Sequence, residues 1–267
     1  MKDLIKRNLN GKRILLLFVL TFLLTGCSSE MELNKPSYIL SIGKWQTYSS
    51  KHFNFYYRPD SKSASWIDSI SDVQESNLHK LSKFLNRKEI ETKIQFFIFP
   101  SLTEKVTITR HKAYAHTVPE YDAVYYIDSD TLNNVLGQHE IGHCLLRKYF
   151  GVPVKGFYKT FIDEGFAWYC VDSLAGENRY KYYTEKLKEH SILAPYDYLK
   201  KPELMETNSG EYMRTAGAFS KYLLDNYGLD KYVRLLLEGK NEEDFETIYG
   251  VSIESVSAKF VNYLSCI

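Results

Sequence analysis

Asp130-Thr131-Leu132-Asn133-Asn134-Val135-Leu136-Gly137-Gln138-His139-Glu140-Ile141-Gly142-His143-Cys144-Leu145-Leu146 is the stretch at which the chain changes character. Leu132, Val135, Leu136, His139, His143 and Leu146 recur at three- and four-residue spacing, the period of a helix with one buried stripe. Asp130 or Thr131 can cap its start. Upstream, the pattern is that of strands around one helix. His52-Phe53-Asn54-Phe55-Tyr56-Tyr57 alternates, is rich in aromatics and ends at Arg58-Pro59-Asp60. Lys93 to Phe99 is a buried strand stopped by Pro100, and Ala123 to Ile127 is a third. Between the first two, Trp66, Ile67, Ile70, Val73, Leu78, Leu81 and Phe84 keep helical spacing. Downstream of Phe157 nearly everything is helical in period, interrupted at Gly176, Pro195, Pro202, Gly210, Gly228 and Gly250. The pattern predicts an α+β fold: an N-terminal mixed strand and helix lobe, a C-terminal helical lobe and a seam near residue 130.

The ends and the composition bound the rest. Lys2, Lys6, Arg7, Lys12 and Arg13 precede an apolar run from Ile14 to Leu24, which is short for a spanning helix and reads as a secretory signal over residues 1–26. Without it, 29 Lys and Arg stand against 32 Asp and Glu, a net −3. That balance leaves no basic excess to neutralise phosphates, so no nucleic-acid partner is expected. Residues 27–45 read as a tether and 46–267 as one folded domain. Beyond Cys27 the cysteines are Cys144, Cys170 and Cys266, with no CxxC pair. One disulfide is possible, and sequence does not choose it.

His139-Glu140-Ile141-Gly142-His143 is an H-E-x-x-H pattern. On a helix, i and i+4 lie on one face about 6 Å apart along the axis, so both imidazoles can reach one metal ion while Glu140 points beside it toward a water. Two histidines on an apolar face also suit satisfied core groups. The extended variant of the motif is excluded, because Leu146 and Tyr149 stand where it needs glycine and histidine. A third ligand is available in Phe161-Ile162-Asp163-Glu164-Gly165-Phe166-Ala167-Trp168-Tyr169, with Glu164 21 positions after His143. Gly151 and Pro153 can turn the chain back, and small Gly165 and Ala167 allow close approach. Asp163 is the rival ligand, but it points about 100° away from Glu164 on a helix and suits orientation of a ligand histidine instead. Asp128 and Asp130 suit capping better than calcium binding, since no D-x-D-x-D-G loop follows. His116 reads as an exposed loop histidine, with a place lining the cleft as the alternative.

With these residues in place, the pair of motifs resembles the gluzincin metallopeptidases, the thermolysin-type group with H-E-x-x-H and a downstream glutamate. The segment Glu211 to Leu223 with Tyr227-Gly228, and the ending Tyr249-Gly250-Val251-Ser252 through Leu264, are similar to small peptidase MA-like bacterial domains. Leu24-Thr25-Gly26-Cys27 resembles the bacterial lipobox. These resemblances imply a zincin fold with the metal site between its lobes and one Zn²⁺ held by His139, His143 and Glu164. They also imply Glu140 as general base to a zinc-activated water, and a tyrosine or histidine of the C-terminal part as oxyanion donor. Tyr212 is the candidate donor, with a plain packing role as its alternative, and Arg214 is a weaker one whose alternative is a solvated surface residue. An edge strand within Ala113 to Ile127, with Pro119 and Asp122 marking a turn before the strand, takes the place that binds the substrate backbone in that family. Lipidation at Cys27 implies anchorage to a bacterial envelope membrane, with the domain outside the cytoplasm. The G-x-M-E-N element of the family's aminopeptidases is missing, which favours an endopeptidase acting on peptide or protein substrates. The alternative is a catalytically inactive zincin-fold binding or structural lipoprotein. No G-x-S-x-G, G-x-G-x-x-G or Walker loop is present to support another chemistry.

Overall fold

The computed structural model describes residues 31–128, 137–151, 157–175, 193–201, 203–207 and 209–266, with 181, 185, 186 and 189 as single positions. The signal sequence, Cys27 and the expected helix start at Asp130 or Thr131 lie outside the described residues. The architecture is α+β. Strands β1 (Gln46–Ser49), β2 (Phe53–Tyr57), β3 (Ile94–Phe99), β4 (His116–Val118) and β5 (Ala123–Ile127) form one sheet in the order β1-β2-β3-β5-β4. The inner strands β2, β3 and β5 are parallel, and β1 and β4 close the edges antiparallel.

Parallel neighbours need crossovers. Helix α2 (Ile67–Phe84) links β2 to β3, and α3 (Leu102–Thr109) links β3 to the β4–β5 hairpin. A strand covered on both faces reads as a continuous apolar run, which is why Ile94 to Phe99 carries almost no polar position. On one face, Phe53, Phe55, Phe96, Ile98 and Val124 join a core shared with the C-terminal helices. On the other, Phe97, Phe99, Ala123 and Tyr125 pack with Ile39 of α1 (Pro36–Leu40). This second layer revises the expected tether. Asn34 is buried, donates to the Thr109 carbonyl at 3.2 Å and accepts from the Tyr125 hydroxyl at 2.5 Å, so the fold begins before residue 46. The signal was weak because α1 is too short to show a period.

The C-terminal part is helical, as its spacing predicts: α4 (Gln138–Phe150), α5 (Phe157–Ala175), α6 (Pro195–Lys200), α7 (Leu204–Thr207), α8 (Ser209–Tyr227), α9 (Leu229–Glu238), α10 (Glu242–Tyr249) and α11 (Ile253–Ser265). The described motif helix begins at Gln138. Gly137 stands at its N-cap with φ +84°, and a Cβ there would lie 2.9 Å from the Phe96 ring. Only glycine meets both conditions, and α4 therefore starts one residue before His139. Asp128 is not a cap for this helix. It accepts instead from the Ser63 amide at 3.1 Å and the Ser63 hydroxyl at 2.5 Å. The seam near residue 130 is a change of pattern rather than of packing, since Phe96 and Val124 of the sheet share one core with Ile141 and Phe161.

Helix α5 is fixed by contacts on two sides. A Cβ on Gly142 of α4 would come within 3.2 Å of the Ala167 Cα, and one on Gly165 would come within 2.0 Å of Ser220 Oγ and 2.5 Å of the Ala216 carbonyl. So Ala167 does face α4, but the small Gly165 serves the crossing with α8. The carbonyl of Ala216 cannot swing aside as a side chain could. We expect Gly165→Ala to destabilise the fold by about 2 kcal/mol despite alanine's better helix propensity, read as a lower urea midpoint.

Candidate metal centre

Residues His139 and His143 sit one turn apart in the first two turns of α4, and their Nε2 atoms face each other at 3.2 Å. Helix α5 brings Glu164 against both. Its Oε2 lies 3.1 Å from Nε2 of His139, and its Oε1 lies 3.8 Å from Nε2 of His143. Within this group every ligand atom is within 4.8 Å of the others, close enough to hold one metal ion.

The spacing along α5 explains how each residue is aimed. Asp163, Ala167 and Cys170 fall at i, i+4 and i+7 and meet Gly142 and His143 of α4. Asp163 Oδ2 lies 3.0 Å from Nδ1 of His143, while Ala167 and Cys170 lie over Gly142. Glu164 and Trp168, one position further round, meet His139, with the indole ring 5.2 Å from the imidazole and inclined to it by 64°. Asp163 therefore reaches the ring nitrogen that faces away from the other donors, the place of an orienting carboxylate.

The electrostatics call for a cation. Glu140, Asp163 and Glu164 line the cleft, and no lysine or arginine does among the described residues. Burial opposes a charged His143, but Asp163, Glu164 and Glu140 outweigh it and raise its pKa to about 10. Burial likewise opposes a charged Glu164. The hydrogen bond from His139 and the nearby charge of His143 win, and its pKa is lowered.

The cleft measures about 360 Å³. Its floor is His139, Glu140, His143, Asp163 and Glu164. One wall is His111, Ala113, Ala115, His116, Thr117 and Pro119, and Met205 and Met213 stand opposite. Edge strand β4 thus forms one wall, and β5, which the sequence also placed here, lies inside the sheet. Thr117 donates to Glu140 Oε2 at 2.6 Å. Lys105 is fully buried and donates to the carbonyls of Ala113 at 2.8 Å and His111 at 3.3 Å, which fixes the loop before β4. Burial lowers its pKa to about 8, with the Glu140 charge pulling the other way. The resemblance placed the Ala113 to Ile127 segment here, but Thr117 and Lys105 carried no signal of their own, because what places them is strand pairing.

Three further expectations meet the structure here. His116 is not an exposed loop residue. It is 7% exposed, stacks on Tyr125 at 4.7 Å and contacts Asn34 through Nε2 at 3.1 Å. Tyr212 is 2% exposed and packs edge-on against Phe161 and Tyr198, outside the lining of the cleft. Burial, with the Glu164 charge adding to it, raises its pKa to about 12. Arg214 lies half exposed beside Glu211 at 3.6 Å. Among the described residues no disulfide forms: Cys144 and Cys170 are buried and Cys266 is exposed. No protein-family model matches the chain, and no curated protein matches it significantly.

Replacing Asp163 by asparagine is expected to weaken metal binding about ten- to a hundredfold in chelator competition, since it removes the charge behind His143. Equal affinity in the two proteins would remove Asp163 from the site. His116 supplies a pH prediction. Burial first, then Lys105 and His111, lowers its pKa to about 2, so the unfolded chain takes a proton below about pH 6.5 that the folded chain refuses. Stability should then fall as pH drops below 6.5, by up to about 1.4 kcal/mol per pH unit. Denaturant titrations between pH 4 and 7 should show a shallower acid loss in His116→Gln than in the parent.

Proposed function

We propose that this chain is a zinc-dependent metallopeptidase with a thermolysin-like zincin fold, an endopeptidase acting on peptide or protein substrates. Residue Cys27 would carry the lipid that anchors it to a bacterial envelope membrane, with the domain outside the cytoplasm. The observation that carries the enzymatic reading is the convergence of His139, His143 and Glu164 in a cleft that also holds Glu140.

The donor set fits zinc. Two imidazoles and one carboxylate, with a fourth position left to the reaction, are what catalytic zinc takes. Bonds of about 2.0–2.1 Å in tetrahedral geometry hold ligand atoms about 3.3 Å apart. The separations here are 3.2, 3.1 and 3.8 Å. A zinc ion in this place supplies Lewis acidity, which lowers the pKa of a water to about 7 and polarises a carbonyl.

The chain's own residues divide the remaining work. Glu140 accepts the proton that the attacking water loses as its oxygen bonds to the carbonyl carbon. It then returns that proton to the amine as the C–N bond breaks, so atoms and charge balance. Asp163 holds the His143 ring. Among the described residues strand β4 pairs on one side only, with β5, and an extended peptide can lie along a strand edge through main-chain hydrogen bonds.

The test compares the purified chain with Glu140→Gln for zinc content and for cleavage of a mixed peptide library. One zinc per chain in both proteins is expected, with cleavage lowered by about a thousandfold or more in the variant. Zinc bound without cleavage by the parent favours a binding lipoprotein. A folded parent that takes up no zinc, or a variant as active as its parent, overturns the proposal.

A further inference from the structure

We infer that Thr117 is a positioning residue that fixes the Glu140 carboxylate and leaves one of its oxygens for proton transfer, an inference that rests on the peptidase reading above. Strand β4 aligns His116 with Tyr125, Thr117 with Val124 and Val118 with Ala123. Side chains alternate across a pleated strand, so these pairs assign faces. Tyr125 and Ala123 belong to the layer that packs on α1, whereas Val124 belongs to the core shared with α4 and α5. Thr117 is therefore the β4 side chain turned toward the motif helix, and a register slip of one residue would turn it away.

The contact itself is close. The Thr117 hydroxyl lies 2.6 Å from Oε2 of Glu140 and 3.1 Å from the main-chain carbonyl of the same residue. A hydroxyl has one proton, and the shorter distance to a charged acceptor assigns it to the carboxylate. Among the described residues this hydroxyl is the hydrogen-bond donor to that carboxylate. Glutamate has three rotatable bonds, and an untethered carboxylate spends its time over several rotamers. With Oε2 engaged, Oε1 is the oxygen presented for proton exchange.

The bond also ties two functions together. The strand whose edge suits an extended substrate is the strand that holds the base, so base and scissile bond share one frame. That frame is anchored at the other end of the loop by Lys105, which donates to the carbonyls of His111 and Ala113. A base held within a fraction of an ångström of its proton is what near-attack geometry asks of the scaffold.

The experiment uses Thr117→Val, which keeps the branched shape without the hydroxyl, and Thr117→Ser, which keeps the hydroxyl. Thr117→Ala serves the same comparison if the valine variant does not fold. All are measured as zinc-loaded protein, by kinetics on the peptides the parent cleaves and by high-resolution crystal structures. With zinc content and urea midpoint unchanged, valine is expected to lower kcat about ten- to a hundredfold while KM moves by less than about threefold, and serine to stay within about threefold of the parent. The crystal structures should show one Glu140 conformer in the parent and serine proteins and a swung or split carboxylate in the valine protein. A valine variant with the parent's kcat, or one with Glu140 unmoved, overturns the inference. A parent that binds zinc and cleaves nothing counts against the peptidase reading alone, because the Glu140 conformer still decides the role of Thr117.

Discussion

The closeness of α4 and α5 at Gly142 and Ala167 is the constraint on which the rest of the site depends. A methyl group on Gly142 would press on the Ala167 backbone at 3.2 Å, so the pair works only with a bare Cα on one side. That approach lets a carboxylate on the second helix reach the imidazoles of the first without a long side chain spanning a gap. Gly165 plays the complementary part on the opposite side, where α8 presses against α5 and fixes its rotation. Turning α5 by one residue would exchange Glu164 for Asp163 or Gly165 at His139. Helix packing thus also selects which carboxylate joins the two histidines.

The charges gathered by this packing explain why the centre stands apart from an ordinary buried polar cluster. Three carboxylates and four imidazoles, two of them in the motif, share a cleft whose lining, among the described residues, includes no lysine or arginine. Such a group is stable when a cation is present, either protons on the imidazoles or a metal ion between them. The elevated pKa of His143 expresses that demand. Lys105 stands near Glu140, yet its ammonium is committed to two carbonyls of the wall loop.

Much of the centre was legible in the sequence, because its geometry is local. The spacing of His139 and His143 follows from 3.6 residues per turn, and so does the division of work between Asp163 and Glu164, neighbours that point about 100° apart. The buried strands and the long helix α2 were readable for the same reason, their periods being properties of single elements. Reading failed where the information is non-local. His116 read as a loop residue because β4 has three residues and no period, and only its pairing with β5 buries it. Tyr212 was picked from its neighbourhood along the chain with packing as its alternative, and its side chain packs in the aromatic core with Phe161 and Tyr198.

By itself, the sequence determined the α+β pattern, the motif helix and the identity of the residues that can coordinate a metal, because hydrophobic period and side-chain chemistry are written residue by residue. Tertiary structure alone decided which of those residues meet. The pleat of β4 turns Thr117 toward Glu140, the second layer folds residues 34–45 onto the sheet, and the bare backbones at Gly142 and Gly165 set the rotation of α5. Each of these depends on contacts between segments distant in the chain, and side-chain direction there is fixed by packing rather than by propensity.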